Sequence, residues 1–209
     1  MAEEVGTDIL FAPEVGEMYP PDHQTLVRVE KVTQNLCGRS RPTHFQGVTT
    51  VVSMLFEMVM PQVAIFGEKD YQQLVTIKQM ARDLHMNVEV VGMPTVREAD
   101  GLAMSSRNTY LQPEERKAAL SLYRSLQKAK ELLQKGERDA ERILQGMKRI
   151  LQGEPLVSID YAQICDARTL EDVNRIEGDV VVALAAYLGK TRLIDNLVFR
   201  NPSPSPPRR

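Results

Sequence analysis

The chain has 209 residues and a formal net charge of −2, a balance that gives no electrostatic footprint for nucleic acid or for an anionic membrane surface. A small, dispersed substrate is the expected partner. Cys37 and Cys165 are far apart, form no Cys-x-x-Cys pair and are too few for a disulfide framework, which fits a reducing cytoplasm. The longest apolar stretch, Val48 to Met60, is interrupted by Ser53 and Glu57 and falls short of the roughly 20 residues that span a bilayer. It reads as a buried helix. No charged-then-apolar signal segment precedes residue 30.

Asp8 to Pro13 is a short apolar run closed by proline, which predicts a buried strand. Leu26 to Glu30 alternates apolar and polar residues, as a half-buried strand does. Phe45, Val48, Val51, Val52, Leu55, Phe56 and Val59 recur at helical spacing, predicting a core helix from His44 to Met60. A strand is expected at Val63 to Phe66, a helix from Lys69 to Leu84, and a strand at Val88 to Val91. Strand, helix and strand with short connections predict a parallel crossover, half of a doubly wound sheet.

Gly92-Met93-Pro94 breaks this pattern, so a domain boundary is expected near residue 95. Pro113, followed by Glu114 and Glu115 at the positive dipole end, starts a helix to about Gln134 that Gly136 terminates. Asp139 is placed to cap a second helix reaching about Leu151. Three strand candidates follow at Ile159 to Ile164, Val180 to Tyr187 and Arg192 to Val198. Helices followed by closely spaced strands indicate an α+β domain with an antiparallel sheet. The expected fold class is therefore α/β: half of a doubly wound domain over 1–95, an α+β domain over 96–200, and a disordered Pro/Ser-rich tail over 201–209.

Candidate chemistry concentrates at Phe66-Gly67-Glu68-Lys69-Asp70-Tyr71-Gln72-Gln73, where a strand passes through a glycine turn into a helix. Such a junction offers free N–H groups and the positive helix dipole to an anion. At about 100° per residue, Lys69, Asp70 and Gln73 share one face of the first turn. A lysine can meet phosphate, an aspartate can accept from ribose hydroxyls, and a carboxamide can bind a hydroxy acid. By spacing alone, an ordinary solvated turn with Asp70 complementing the dipole is the more economical reading.

A second candidate is the loop from Asp100 to Asn108, where Ser105 and Ser106 precede Arg107, a combination suited to phosphate oxygens. A polar interdomain loop accounts for it equally well. Thr43 is positioned to cap the core helix and His44 to be a surface residue of its first turn. No His/Cys spacing supports zinc. Gly189-Lys190-Thr191 lacks the earlier glycine of a P-loop, Leu184 standing there instead, and reads as a turn between strands.

Taken together, Phe66 to Gln73, Val96 to Asn108 and Arg41-Pro42-Thr43-His44-Phe45-Gln46-Gly47-Val48 strongly resemble the pantothenate synthetase, or pantoate-beta-alanine ligase, family. Leu10 to Pro13, Met18-Tyr19-Pro20 and Thr191 to Asn196 extend the resemblance over residues 8 to 198. It implies a Rossmann-like nucleotidyltransferase domain followed by a smaller lid, in a cytoplasmic homodimer. It also implies ATP-dependent joining of pantoate to β-alanine through a pantoyl adenylate.

The resemblance implies roles residue by residue. Lys69 matches a lysine on the ATP phosphates, and Gly67 and Asp70 match ribose contacts. Gln73, Val48, Val51 and Val52 match the pantoate site. Ser105, Ser106 and Arg107 match phosphate binders on the lid, and Val96 and Met104 match contacts around adenine. Lys69, Ser105, Ser106 and Arg107 are thereby the implied catalytic residues.

Two departures stand out. Family members carry an N-terminal segment with a Pro-Thr-Met-Gly turn, a His-x-Gly-His motif and a second pantoate-binding glutamine, none of which occurs in this sequence. Mg2+ is implied as a cofactor, with its ligands in that segment. Cys37 stands where members commonly have glutamate. The sequence is therefore expected to be a fragment of a synthetase, inactive alone; the alternative is a catalytically dead relative that binds nucleotide or pantoate, or only dimerises.

Overall fold

The computed structural model describes residues 2–201. Within them two sheets form: a parallel pair and a three-stranded antiparallel sheet in the order β3-β4-β5. Short helices α1 (Val15–Met18) and α2 (Cys37–Ser40) precede the long helix α3 (His44–Val59). The apolar face of α3 supplies Val52 and Phe56, which pack on Ile77 and Met80 of α4 (Tyr71–Asp83). Strands β1 (Val63–Gly67) and β2 (Glu89–Met93) pair in parallel from Val63↔Glu89 to Gly67↔Met93, and Ala64, Phe66 and Val90 join the same cluster. The expected strand-helix-strand unit is present.

Beyond it, Pro113 opens α5 (Pro113–Gln134), with a reciprocal capping box between Gln112 and Glu115. Gly136 follows the helix end at φ 90. Asp139 accepts the Arg142 N–H and caps α6 (Ala140–Gln152) as expected. The antiparallel sheet comprises β3 (Val157–Asp166), β4 (Val180–Leu188) and β5 (Thr191–Phe199). Gly189-Lys190 is the turn between β4 and β5.

Strand β4 is nearly all apolar because both of its faces are covered. Val180, Val182 and Leu184 meet Leu122, Leu126 and Met147 of α5 and α6. Val181 and Ala183, on the other face, meet Val32, Leu36, Cys165 and Leu170. Tyr71 and Val75 of α4 also pack there, so this second cluster joins the two sheets. Three polar ties reinforce it. Tyr71 donates its hydroxyl to Ala167 O, Ser40 donates to Asp160, and Asn35 Nδ2 donates to Leu170 O and Asp172 Oδ1.

Two expected strands are not strands. Asp8 to Pro13 is irregular and solvent-facing, with Ile9 and Leu10 more than three-quarters exposed; apolar composition without a pairing partner does not make a strand. Leu26 to Glu30 keeps its alternation, but Val27 and Val29 pack on α3 and no strand lies beside them. Threonine side chains replace the ladder: Thr50 Oγ1 accepts the Val27 N–H and Thr49 donates to Val27 O. Of the predicted tail, residues 202–209 lie outside the described residues.

Candidate active site at the end of the parallel strand

At the carboxyl end of β1 the chain does not enter α4 directly. Glu68 to Asp70 form one 3-10 turn and the α-helix begins at Tyr71. The tighter winding still leaves Lys69, Asp70 and Gln73 on one cavity of about 270 Å3, lined also by Cys37, Arg41, His44, Arg107 and Arg192. That volume is just below the range of small-molecule sites, about 300–1,000 Å3. It suits a small hydroxy acid or the phosphates of a larger ligand.

The cavity is cationic. Arg192 is ion-paired with Asp160, its Nη2 lying 2.7 Å from Oδ2, and its guanidinium sits 5.8 Å from the Tyr161 ring centroid. Among the described residues no carboxylate pairs with Arg41, Lys69 or Arg107. Such groups favour a polyanion. His44 is held below the ordinary histidine range by burial first and then by Arg41, with Asp70 pulling the other way. Desolvation and cationic neighbours both oppose a charged imidazole.

Two glutamines next to each other in sequence have different surroundings. Gln72 is buried, donating from Nε2 to Val32 O and Asn35 O and accepting the Cys37 N–H at 3.0 Å. It builds the cavity floor. Gln73 is half-buried on the cavity wall. The segment that Gln72 holds is tightly wound, with buried Leu36 at φ 50, ψ −124.

The loop from 97 to 110 is shaped by a bridge between Arg97 and Ala103 and by Met104 N donating to Val96 O. Gly101, at φ 96, lies against Tyr123 of α5. Ser105 Oγ accepts the Arg107 N–H at 3.3 Å and caps the 3-10 turn Ser106–Tyr110. Arg107 Nη1 reaches Arg192 O at 3.4 Å.

The structure thus gathers Lys69, Asp70, Gln73 and Arg107 around one space. Gly67 ends β1 beside it. Ser105 and Ser106 stand next to Arg107 without lining the cavity, while Val96 and Met104 are solvent-exposed on the loop. Val48, Val51 and Val52 belong to the core cluster with Ile77 and Met80 and do not line this cavity. Two helix-start readings are corrected. Thr43 has helical backbone and its side chain caps nothing, and His44 is half-buried on the cavity rather than at a free surface. Arg41, Arg192 and Asn196 were not singled out as site residues, because their place depends on pairings between distant segments. Among the described residues no group of three His, Cys, Asp or Glu side chains could hold a metal. No described helix is long and apolar enough to cross a membrane.

A parallel strand pair ending in a cationic turn, faced by Arg192 of a separate antiparallel sheet and by Arg107 of the loop ahead of α5, is the arrangement of a nucleotidyltransferase-type domain with a lid. The sequence profile of the family Pantoate-beta-alanine ligase matches residues 1–198. A pantothenate synthetase of Syntrophus aciditrophicus is 59% identical over 199 residues, covering 95% of this chain and 70% of the relative. One from Heliobacterium modesticaldum is 54% identical over 198 residues, with 95% and 70% covered. The crystal structure of pantothenate synthetase from Thermus thermophilus superposes with a TM-score of 0.90 at 47% identity, over 93% of this chain and 71% of that one. A ligase from Francisella tularensis, solved with beta-gamma ATP and β-alanine, gives 0.70 at 29% identity, over 94% and 67%. The chain belongs to the pantoate-beta-alanine ligase family, whose reaction joins pantoate to β-alanine to make pantothenate.

Proposed function

We propose that the cavity at Lys69 is where this chain takes part in making a pantoyl adenylate from ATP and pantoate. The observation that carries the reading is the convergence of Lys69, Asp70 and Gln73 from the β1–α4 junction and Arg107 from the loop ahead of α5 on one cavity. A carboxylate is a poor acyl donor because an oxide-like group would have to leave. Attack of the pantoate carboxylate oxygen on the α-phosphorus, with pyrophosphate departing, gives a mixed anhydride. The amine of β-alanine then attacks the acyl carbon, AMP departs with the bonding electron pair, and the attacking nitrogen loses a proton to leave the amide.

In this reading Lys69 and Arg107 offset the charge that accumulates on the phosphates, with the Ser105 and Ser106 turn presenting Arg107. Asp70 and Gly67 meet the ribose, and Val96 and Met104 the adenine. Gln73 binds pantoate, and Val48, Val51 and Val52 of α3 are the apolar positions proposed for the same site. Arg41 and Arg192 add to the cationic wall. Among the described cavity residues Asp70 is the one carboxylate not already ion-paired, so no step is derived through Mg2+. We place the domain boundary near residue 95, each sheet lying on its own side of it. A cytoplasmic homodimer is the proposed assembly, supported by the exposed Val63 and Ile65 on the outer face of β1.

Direct binding tests the assignment. Calorimetry with ATP and with pantoate is expected to show Lys69→Ala weakening ATP at least tenfold, and Gln73→Ala weakening pantoate with little effect on ATP. Unchanged ATP affinity in Lys69→Ala would remove Lys69 from the site.

A further inference from the structure

Successive residues of β5 point to opposite faces of the antiparallel sheet, and two of them are polar and buried, Asp195 and Asn196. Asp195 faces the α5 side and binds Arg97, which opens the loop that leads to Arg107. Asn196 faces the parallel sheet. Its Nδ2 donates to Glu68 O at 2.9 Å and to Lys69 O at 2.8 Å, committing both amide hydrogens to consecutive carbonyls of the 3-10 turn. Those two carbonyls lie where the chain passes from β1 to α4, before the regular helical ladder is established. An amide that grips both of them fixes the peptide planes flanking Lys69, and with them the direction in which its side chain leaves the backbone.

We infer that Asn196 is a positioning residue of the site, setting the Lys69 turn from the opposite sheet. It rests on the proposed role of Lys69, and it goes further in making the turn and the lid strand one mechanical unit. Adjacent β5 residues then hold both cation-bearing segments, Asp195 the Arg107 loop and Asn196 the Lys69 turn.

The test compares wild type with Asn196→Ala by hydrogen–deuterium exchange of the free protein, using peptides over residues 66–73 and over α5 as an internal reference. Exchange at 66–73 is expected to rise at least tenfold while α5 is unchanged. ATP affinity, read by calorimetry, should fall at least tenfold, and the fall should disappear in a Lys69→Ala background. Unchanged exchange at 66–73 in the folded variant overturns the positioning role. An equal, additive loss of affinity without Lys69 overturns the claim that Asn196 acts through it. If Lys69→Ala alone leaves ATP binding intact, the proposed role of Lys69 falls, while the exchange result still decides whether Asn196 holds the turn. Asn196→Asp, the same shape without the donors, is read in the same way should the alanine variant not fold.

Discussion

Arg97 and Asp195 form a bidentate pair, Nη1 to Oδ2 at 2.7 Å and Nη2 to Oδ1 at 3.0 Å, with the Asp195 side chain only 2% exposed. The guanidinium also donates to Gly101 O and lies 4.7 Å over the Tyr123 ring. Removing one partner of a buried pair strands the other charge, and that costs about 3–5 kcal/mol. Asp195→Ala is therefore expected to lower unfolding free energy by about that much in urea titrations. Arg97→Met with Asp195→Leu should recover most of the loss. A double variant as unstable as Asp195→Ala would show that geometry, not charge compensation, is what the pair provides.

Gly101 sits beneath the same guanidinium. Its φ of 96 is one that a side chain rarely tolerates, and a Cβ there would stand 2.2 Å from Tyr123 Cδ1. The ring is sandwiched by Arg97 and cannot retreat without giving up that contact. Gly101→Ala should cost about 1–3 kcal/mol, the scale of a strained backbone residue. Adding Tyr123→Ala should return only the steric part. A urea midpoint unmoved by Gly101→Ala would contradict the described loop conformation.

His44 links the cavity to pH. Its depressed pKa means that the folded state binds the proton less readily than the unfolded chain. Its stabilising contribution is thus complete above the ordinary value of 6.5 and is lost as pH falls through the lowered folded value. A polyphosphate in the cavity supplies the opposite field and draws a proton onto the imidazole. Calorimetry at about pH 6, just below the ordinary histidine value, in buffers of different ionisation heat should therefore show ATP binding with more proton uptake in wild type than in His44→Asn. At about pH 8, well above the ordinary histidine value, the difference between the two should shrink. Equal uptake at the lower pH would place the phosphates out of His44's reach.

Much of the core was legible because its signals are local. The periodicity of α3, the Pro113 and Asp139 helix starts, and the unbroken apolar run of β4 each follow from a few neighbouring residues. Asp8 to Pro13 and Leu26 to Glu30 were misread because a strand is defined by its partner, and composition cannot say whether one lies alongside. The same limit governed the site. Lys69, Gln73 and Arg107 stood in recognisable motifs, whereas the grip of Asn196 on Glu68 and Lys69, and of Gln72 on the Cys37 segment, joins positions at least 35 residues apart. Nothing in either local sequence announces these bonds.

The backbone at Leu36 has a consequence of its own. A leucine at φ 50, ψ −124 sits in a sparsely populated region that costs on the order of 1–3 kcal/mol, yet its side chain is buried and the next peptide is held by Gln72. The floor of the cavity is therefore under tension. Should the Gln72 amide release the Cys37 N–H, the segment loses the restraint nearest the strained residue, while Ser40 on Asp160 and Asn35 on Leu170 and Asp172 still anchor it on either side. The glutamine beside the proposed substrate-binding residue is thus one of the restraints that keep a strained stretch of backbone in the wall of the space at Lys69.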